Sequence, residues 1–141
     1  MFLMASVNAI IFLILSSIHF YWLSGGKWGM NSVVPTKEKS ANKLFTPSAF
    51  STVVVAVGLL VFGLIELGNI GIFSDWMDLK YFRWGNLLIA FIILIRAVGD
   101  FKYVGFFKKV RDTLFAKNDS LYYAPLCLFI AFTSLLIALS D

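Results

Sequence analysis

Four stretches of roughly twenty mostly apolar residues, separated by short polar segments, restrict this chain more than any other feature. They run over about 2–22, 48–67, 81–100 and 121–139. A helix rises ~1.5 Å per residue, so ~20 residues cross a hydrocarbon core of ~30 Å. Lipid offers no partner to a bare N–H or C=O, so only helices and closed barrels cross it. The expected fold is therefore all-α, a four-transmembrane-helix bundle forming one integral membrane domain over 1–141. Apolar residues make up 60% against 14% charged, and the mean hydropathy is +0.85, which leaves too little polar surface to clothe a water-soluble domain. The first block is longer than a signal peptide's apolar run, has no basic leader and precedes no small-x-small cleavage site before Ser24, so it reads as a retained helix.

The formal charge of +4 resides mainly in two loops. The first, 23–47, carries Lys27, Lys37, Lys39 and Lys43; the third, 101–120, carries Lys102, Lys108, Lys109, Arg111 and Lys117. The second holds Lys80 and Arg83, and the termini hold no Lys or Arg. By the positive-inside bias, loops 23–47 and 101–120 face the cytoplasm and both termini lie outside. Basic residues placed this way imply lipid contact and exclude nucleic acid, which needs them on a water-exposed fold. A single cysteine, Cys127, excludes an internal disulfide and a multi-cysteine metal site, and a single histidine, His19, excludes an HExxH centre. No metal and no cofactor is expected. Cys127 reads as a small buried hydrophobe.

Few polar residues interrupt the blocks, and most candidates for a site fall toward one end of the bundle. Arg96 and Asp100 are spaced i, i+4 and share a helix face. A charge within a span costs at least ~2.5 kcal/mol and turns toward the protein interior, a wet cavity or the headgroups. In the plainer reading Arg96 snorkels and Asp100 pairs with it. In the sharper one, Arg96, Asp100, His19, Trp22 and Tyr123 converge with Pro47 and Asp119 near the cytoplasmic interface. A guanidinium suits phosphate or carboxylate, and a histidine exchanges protons near neutral pH. Thus Arg96, Asp100, His19, Trp22 and Tyr123 are candidate ligand-binding residues, and His19 and Asp100 candidate catalytic ones. Each has a plainer alternative; His19, for example, commonly serves as interhelical glue. Toward the outer side, Asn8 and Glu66 allow a satellite network, although Glu66 is expected to be solvated at a helix end.

On a helical wheel, Tyr103, Phe106, Phe107, Val110 and Leu114 fall on one arc, and Lys102, Gly105, Lys108, Lys109 and Asp112 on the other. The pattern predicts a basic amphipathic helix over about 102–115, lying in the headgroup plane. Lys102, Lys108, Lys109 and Arg111 would meet the membrane surface there, each contributing ~1 kcal/mol against an anionic leaflet. Thr46 with Pro47 reads as the start of the second span, and Asp119 or Ser120 as the cap of the fourth. Pro125 either kinks the fourth span or belongs to its first turn. Gly58 and Gly63 offer the second span places for close helix contact.

Three segments resemble a family of small bacterial membrane proteins known as domain of unknown function 3995. They are IHFYWLSGGKWG (Ile18 to Gly29), FTPS (Phe45 to Ser48) and RAVGDFKYVGFFKKVRDTLFAKNDSLYYAPLCL (Arg96 to Leu128). The resemblance implies a four-helix protein of the bacterial cell membrane, and groups His19, Arg96 and Asp100 in one site. It implies no activity. Three functions follow from the residues: a protein that binds or carries an amphipathic anionic, lipid-like ligand through Arg96; a small intramembrane enzyme on a lipid or isoprenoid substrate; or an accessory subunit. Membrane lipid is the expected partner, and homo-oligomerisation is left open.

Overall fold

The structure, a computed structural model, describes residues 1–35 and 47–140. In chain order it contains α1 (Phe2–Leu23), a short α2 (Met30–Val33), α3 (Ala49–Asn69), α4 (Leu79–Val98), α5 (Leu114–Asn118), a π-helical turn (Asp119–Tyr123) and α6 (Ala124–Leu139). There are no strands among the described residues. The helices α1, α3 and α4, and the continuous run 114–139, are each long and apolar enough to cross a membrane. At most 33% of any span is buried by the protein itself, so most of its apolar surface is left for lipid.

The bundle is two tight pairs joined more thinly to one another: α1 packs on α3, and α4 on α6. Between α1 and α3 the backbones approach closely at Gly63, where a Cβ would stand 3.2 Å from the Leu13 side chain. Gly58, by contrast, faces open space. The hydroxyl of Ser16 donates to the carbonyl of Ala56 at 2.7 Å, and Phe12 meets Phe62 edge to face at 5.5 Å. The shared core collects Phe12, Ile89, Ile93, Ile130 and Ala131, with Cys127 half-buried against it. Small and β-branched residues dominate because lipid does not drive helices together, and close packing must.

Two boundaries differ from the sequence expectation. Ser48, not Thr46, caps α3, its Oγ accepting from the Ser51 N–H at 3.1 Å, and Pro47 sits just ahead of the cap. Thr46, Lys37, Lys39 and Lys43 lie outside the described residues. The fourth span starts at Leu114 rather than 121, capped by Thr113, whose Oγ1 accepts from Ala116 N–H. Asp119 is therefore inside the helix and is not a cap. Directly before Pro125 the helix widens into its π turn, with the Ala124 N–H bonded to the carbonyl of Asp119. A proline inside a helix lacks an N–H and crowds the carbonyl four residues back, and a widened turn is one way to absorb that.

The expected amphipathic helix over 102–115 is absent. Residues 99–113 form an irregular, heavily bonded loop, and of the expected 102–115 only Leu114 and Phe115 are helical, as the start of the fourth span. The carbonyl of Lys102 accepts from the N–H groups of Lys109 and Val110, and Phe106 N–H donates to the carbonyl of Ala97. Gly105 sits at φ +87°, which no α-helix contains. Amphipathic periodicity was present, but tertiary partners took the backbone groups that a helix would have paired internally.

Candidate functional site

The polar centre forms where the end of α4, the loop 99–113 and the π turn meet. Asp119 is fully buried and is its hub. The Arg96 Nη2 donates to Asp119 Oδ1 at 2.8 Å. On the other oxygen, Oδ2, converge the Lys108 Nζ at 3.0 Å and the backbone N–H of Gly105 at 2.7 Å. Lys108 also donates to the Ser120 hydroxyl at 2.7 Å and the Gly105 carbonyl at 3.0 Å. Its side chain is 1% exposed, against 35% for Arg96. Lys108 is thus an interior cation and not a membrane-surface one, because the loop turns it toward the buried carboxylate of Asp119, which compensates its burial. Lys102, Lys109 and Arg111 do stay exposed.

Two cations against one carboxylate leave the cluster with a surplus positive charge. The guanidinium retains a buried nitrogen, Nη1, with no hydrogen-bond partner among the described residues. Buried donors are nearly always paired, so an orphan one beside surplus charge marks a place where an anion is favoured.

Asp100 does not pair with Arg96. Its Oδ1 accepts from the backbone N–H groups of Lys102, Tyr103 and Val104 at 2.7–2.9 Å, closing the turn after α4. Slight burial pushes its carboxyl up, but the bonds from Tyr103, Val104 and Lys102 outweigh that and hold it below the usual carboxylate range. The i, i+4 geometry is broken because α4 ends at Val98, before Asp100.

The other candidates stand apart. His19 Nδ1 bonds to the Leu15 carbonyl of its own helix at 2.8 Å, so Nδ1 carries the hydrogen, and the ring meets Trp22 edge-on at 4.9 Å. Trp22 Nε1 donates to the Trp28 carbonyl at 2.8 Å, stitching the turn after α1. No hydrogen bond or ion pair among the described residues joins His19 to Arg96 or Asp100, and the two groups stand on different helix pairs. Tyr123 donates from its hydroxyl to the Ser32 carbonyl at 3.3 Å, holding α2 against the fourth span.

A second polar centre stands at the other end, where the sequence pointed to a network of Asn8 and Glu66 but not to Asn86, Thr133 or Ser134. Glu66 is fully buried, not solvated, and is bonded to Asn8, Asn86 and Ser134 from the other three spans. Asn86, Thr133 and Ser134 are polar interruptions of apolar blocks. Such residues face the protein interior as a rule, so their positions were the available signal.

No curated protein and no solved structure matches the chain significantly. The family described as "Protein of unknown function (DUF3995)" matches residues 12–134, which includes part or all of each span and both polar centres except Asn8 of the second. The chain, with its four membrane-length helices, belongs to the DUF3995 family, whose function is unknown.

Proposed function

We propose that the protein binds or carries an amphipathic anionic ligand, with a phosphate or carboxylate headgroup received by Arg96. The observation that carries this reading is the buried Nη1 of Arg96, without a hydrogen-bond partner among the described residues, in a cluster of two cations and one carboxylate. Arg96 lies two residues from the end of α4, the depth of a headgroup, and a planar guanidinium offers its free edge to an oxyanion. The exposed Lys102, Lys109 and Arg111 would draw anionic lipid toward the same loop.

Mass spectrometry of protein purified in mild detergent tests it. Wild type is expected to retain one dominant anionic species, and Arg96→Gln to lose it by about tenfold or more, the equivalent of ~1.4 kcal/mol. Arg96→Gln leaves Lys108 on Asp119, so the comparison is made on folded protein. The same bulk lipid in both samples would sink the idea.

One observation favours a second reading, an accessory subunit in which the cluster serves only assembly: Asp119 gathers bonds from three separate points, Arg96, Gly105 and Lys108. The enzyme alternative, with His19 and Asp100 as acid–base groups, has no such support, since each is engaged with nearby backbone.

In a bacterial cell membrane, loops 23–47 and 101–120 would face the cytoplasm, with both termini outside. On a Cys127→Ser background, Lys37→Cys is expected to resist an impermeant thiol reagent in intact cells and Asp78→Cys to react. The reverse pattern would invert the orientation.

A further inference from the structure

The second polar centre lies at the opposite end of the spans from Arg96. Along α4, Asn86 and Arg96 are ten residues apart, about 15 Å of helix. Every span contributes one group or more. Asn8 of α1 donates from Nδ2 to Glu66 Oε1 at 3.1 Å, and the Ser134 hydroxyl of α6 donates to the same oxygen at 3.0 Å. Asn86 of α4 donates to Oε2 across a long 3.4 Å. The Thr133 hydroxyl donates to Asn8 Oδ1 at 3.0 Å.

All the groups that α1, α4 and α6 direct at the carboxyl are therefore neutral. Among the described residues no Lys, Arg or His forms an ion pair with Glu66. A lone carboxylate buried at this depth is costly even when hydrogen-bonded. A proton relieves that cost, and unlike a metal ion it requires no cavity. The amide of Asn86, which faces the carboxyl through Nδ2, also carries an acceptor for the proton, since its Oδ1 is buried with no partner among the described residues. An amide's two ends are assigned from their bonding. Turned over, Asn86 brings Oδ1 to face Oε2 and accepts the acid's O–H.

We propose that Glu66 is a reversible proton-binding site whose proton sets how firmly the α1–α3 pair is joined to the α4–α6 pair. With the proton on Oε2, the acid donates to Asn86 and accepts from Asn8 and Ser134, a wholly neutral joint across the seam where the pairs touch least. When the proton leaves to water, an anion remains, and only two amides and a hydroxyl hold it. Glu66 is three residues from the end of α3 at Asn69, within one turn of the water interface, so the proton has a short way out. This site is independent of the Arg96 reading.

The chain contains two glutamates, Glu38 and Glu66, so Glu38→Gln protein grown with side-chain-carboxyl ¹³C-glutamate reports Glu66 alone. Infrared titration in detergent is expected to give an isotope-shifted carboxylic acid band at neutral pH. On raising the pH, that band converts to carboxylate while the helices persist, and the thermal midpoint falls over the same interval. Glu66→Gln, the neutral isostere, is expected to keep its midpoint through that interval. A carboxylate band at neutral pH overturns the proposal, as does an acid band that never titrates before unfolding. A midpoint that stays level while the band converts overturns the control of the joint, and that arm needs no Glu66 variant to fold.

Discussion

Replacing Asp119 with alanine is expected to remove about 3–5 kcal/mol of stability, the usual cost of stranding a buried charge. The carboxylate is fully buried and answers Lys108, whose side chain is 1% exposed, and Arg96, whose side chain is 35% exposed. Most of the loss should come from Lys108, because Arg96 is close enough to the end of α4 to reach water or headgroups. The Gly105 N–H loses its acceptor as well. Chemical unfolding in detergent measures the loss, and limited proteolysis should find the loop 99–113 opened first. The double variant Asp119→Ala with Lys108→Met is expected to recover a large part of the loss, since removing both partners leaves no uncompensated charge. An Asp119→Ala protein as stable as wild type would mean that the cluster does not hold the loop. The accessory reading would then lose its support.

Gly99→Ala is expected to cost about 3 kcal/mol or more, combining backbone strain of ~1–3 kcal/mol with overpacking of similar size. Gly99 ends α4 at φ +83°, ψ −164°, a region that side chains with a Cβ scarcely enter. An added Cβ would run into the carbonyl of Val104 and stand 2.8 Å from the Gly105 Cα. Both neighbours are backbone, so neither yields by changing rotamer. Because Gly99 directs the chain into the Asp100 turn, amide exchange over 100–110 should quicken in the variant. Gly71 is the control: its φ is +88°, yet nothing lies within 4 Å of an added Cβ. Gly71→Ala should cost only the strain of a left-handed residue, ~1–2 kcal/mol. Equal losses at the two positions would show that the packing of the loop against α4 contributes nothing.

The spans were legible because the requirement they answer is local: in lipid, each backbone group must be paired within its own helix, and side chains must be apolar over a fixed length. Composition along the chain therefore carries their number and approximate bounds. That a charge such as Arg96 must turn to the protein interior, a wet cavity or the headgroups was legible too, since its cost depends on depth alone. Its partner was another matter. Asp100 stood at the right spacing, but a helix that ends at Val98 removes the geometry that made spacing meaningful. The true partner, Asp119, is contributed by another span.

The amphipathic pattern of 102–115 failed for a related reason. Periodicity reports which residues prefer an apolar neighbour, and it does not report competitors for the backbone. Asp100, the carbonyl of Lys102 and Asp119 all compete for the loop's N–H groups, and Lys108 follows Asp119 inward. Likewise Glu66 near the end of α3 looks solvated by position, and is buried only because Asn8, Asn86 and Ser134 from three other helices surround it. The sequence by itself determined a four-span membrane chain, with most of its charge in the loops and a few polar residues interrupting the spans, because hydration and helix length act residue by residue. Only the tertiary structure decided which of those polar residues meet, because buried charges and amides are satisfied by partners from separate helices, and no spacing along the chain encodes how the helices pack.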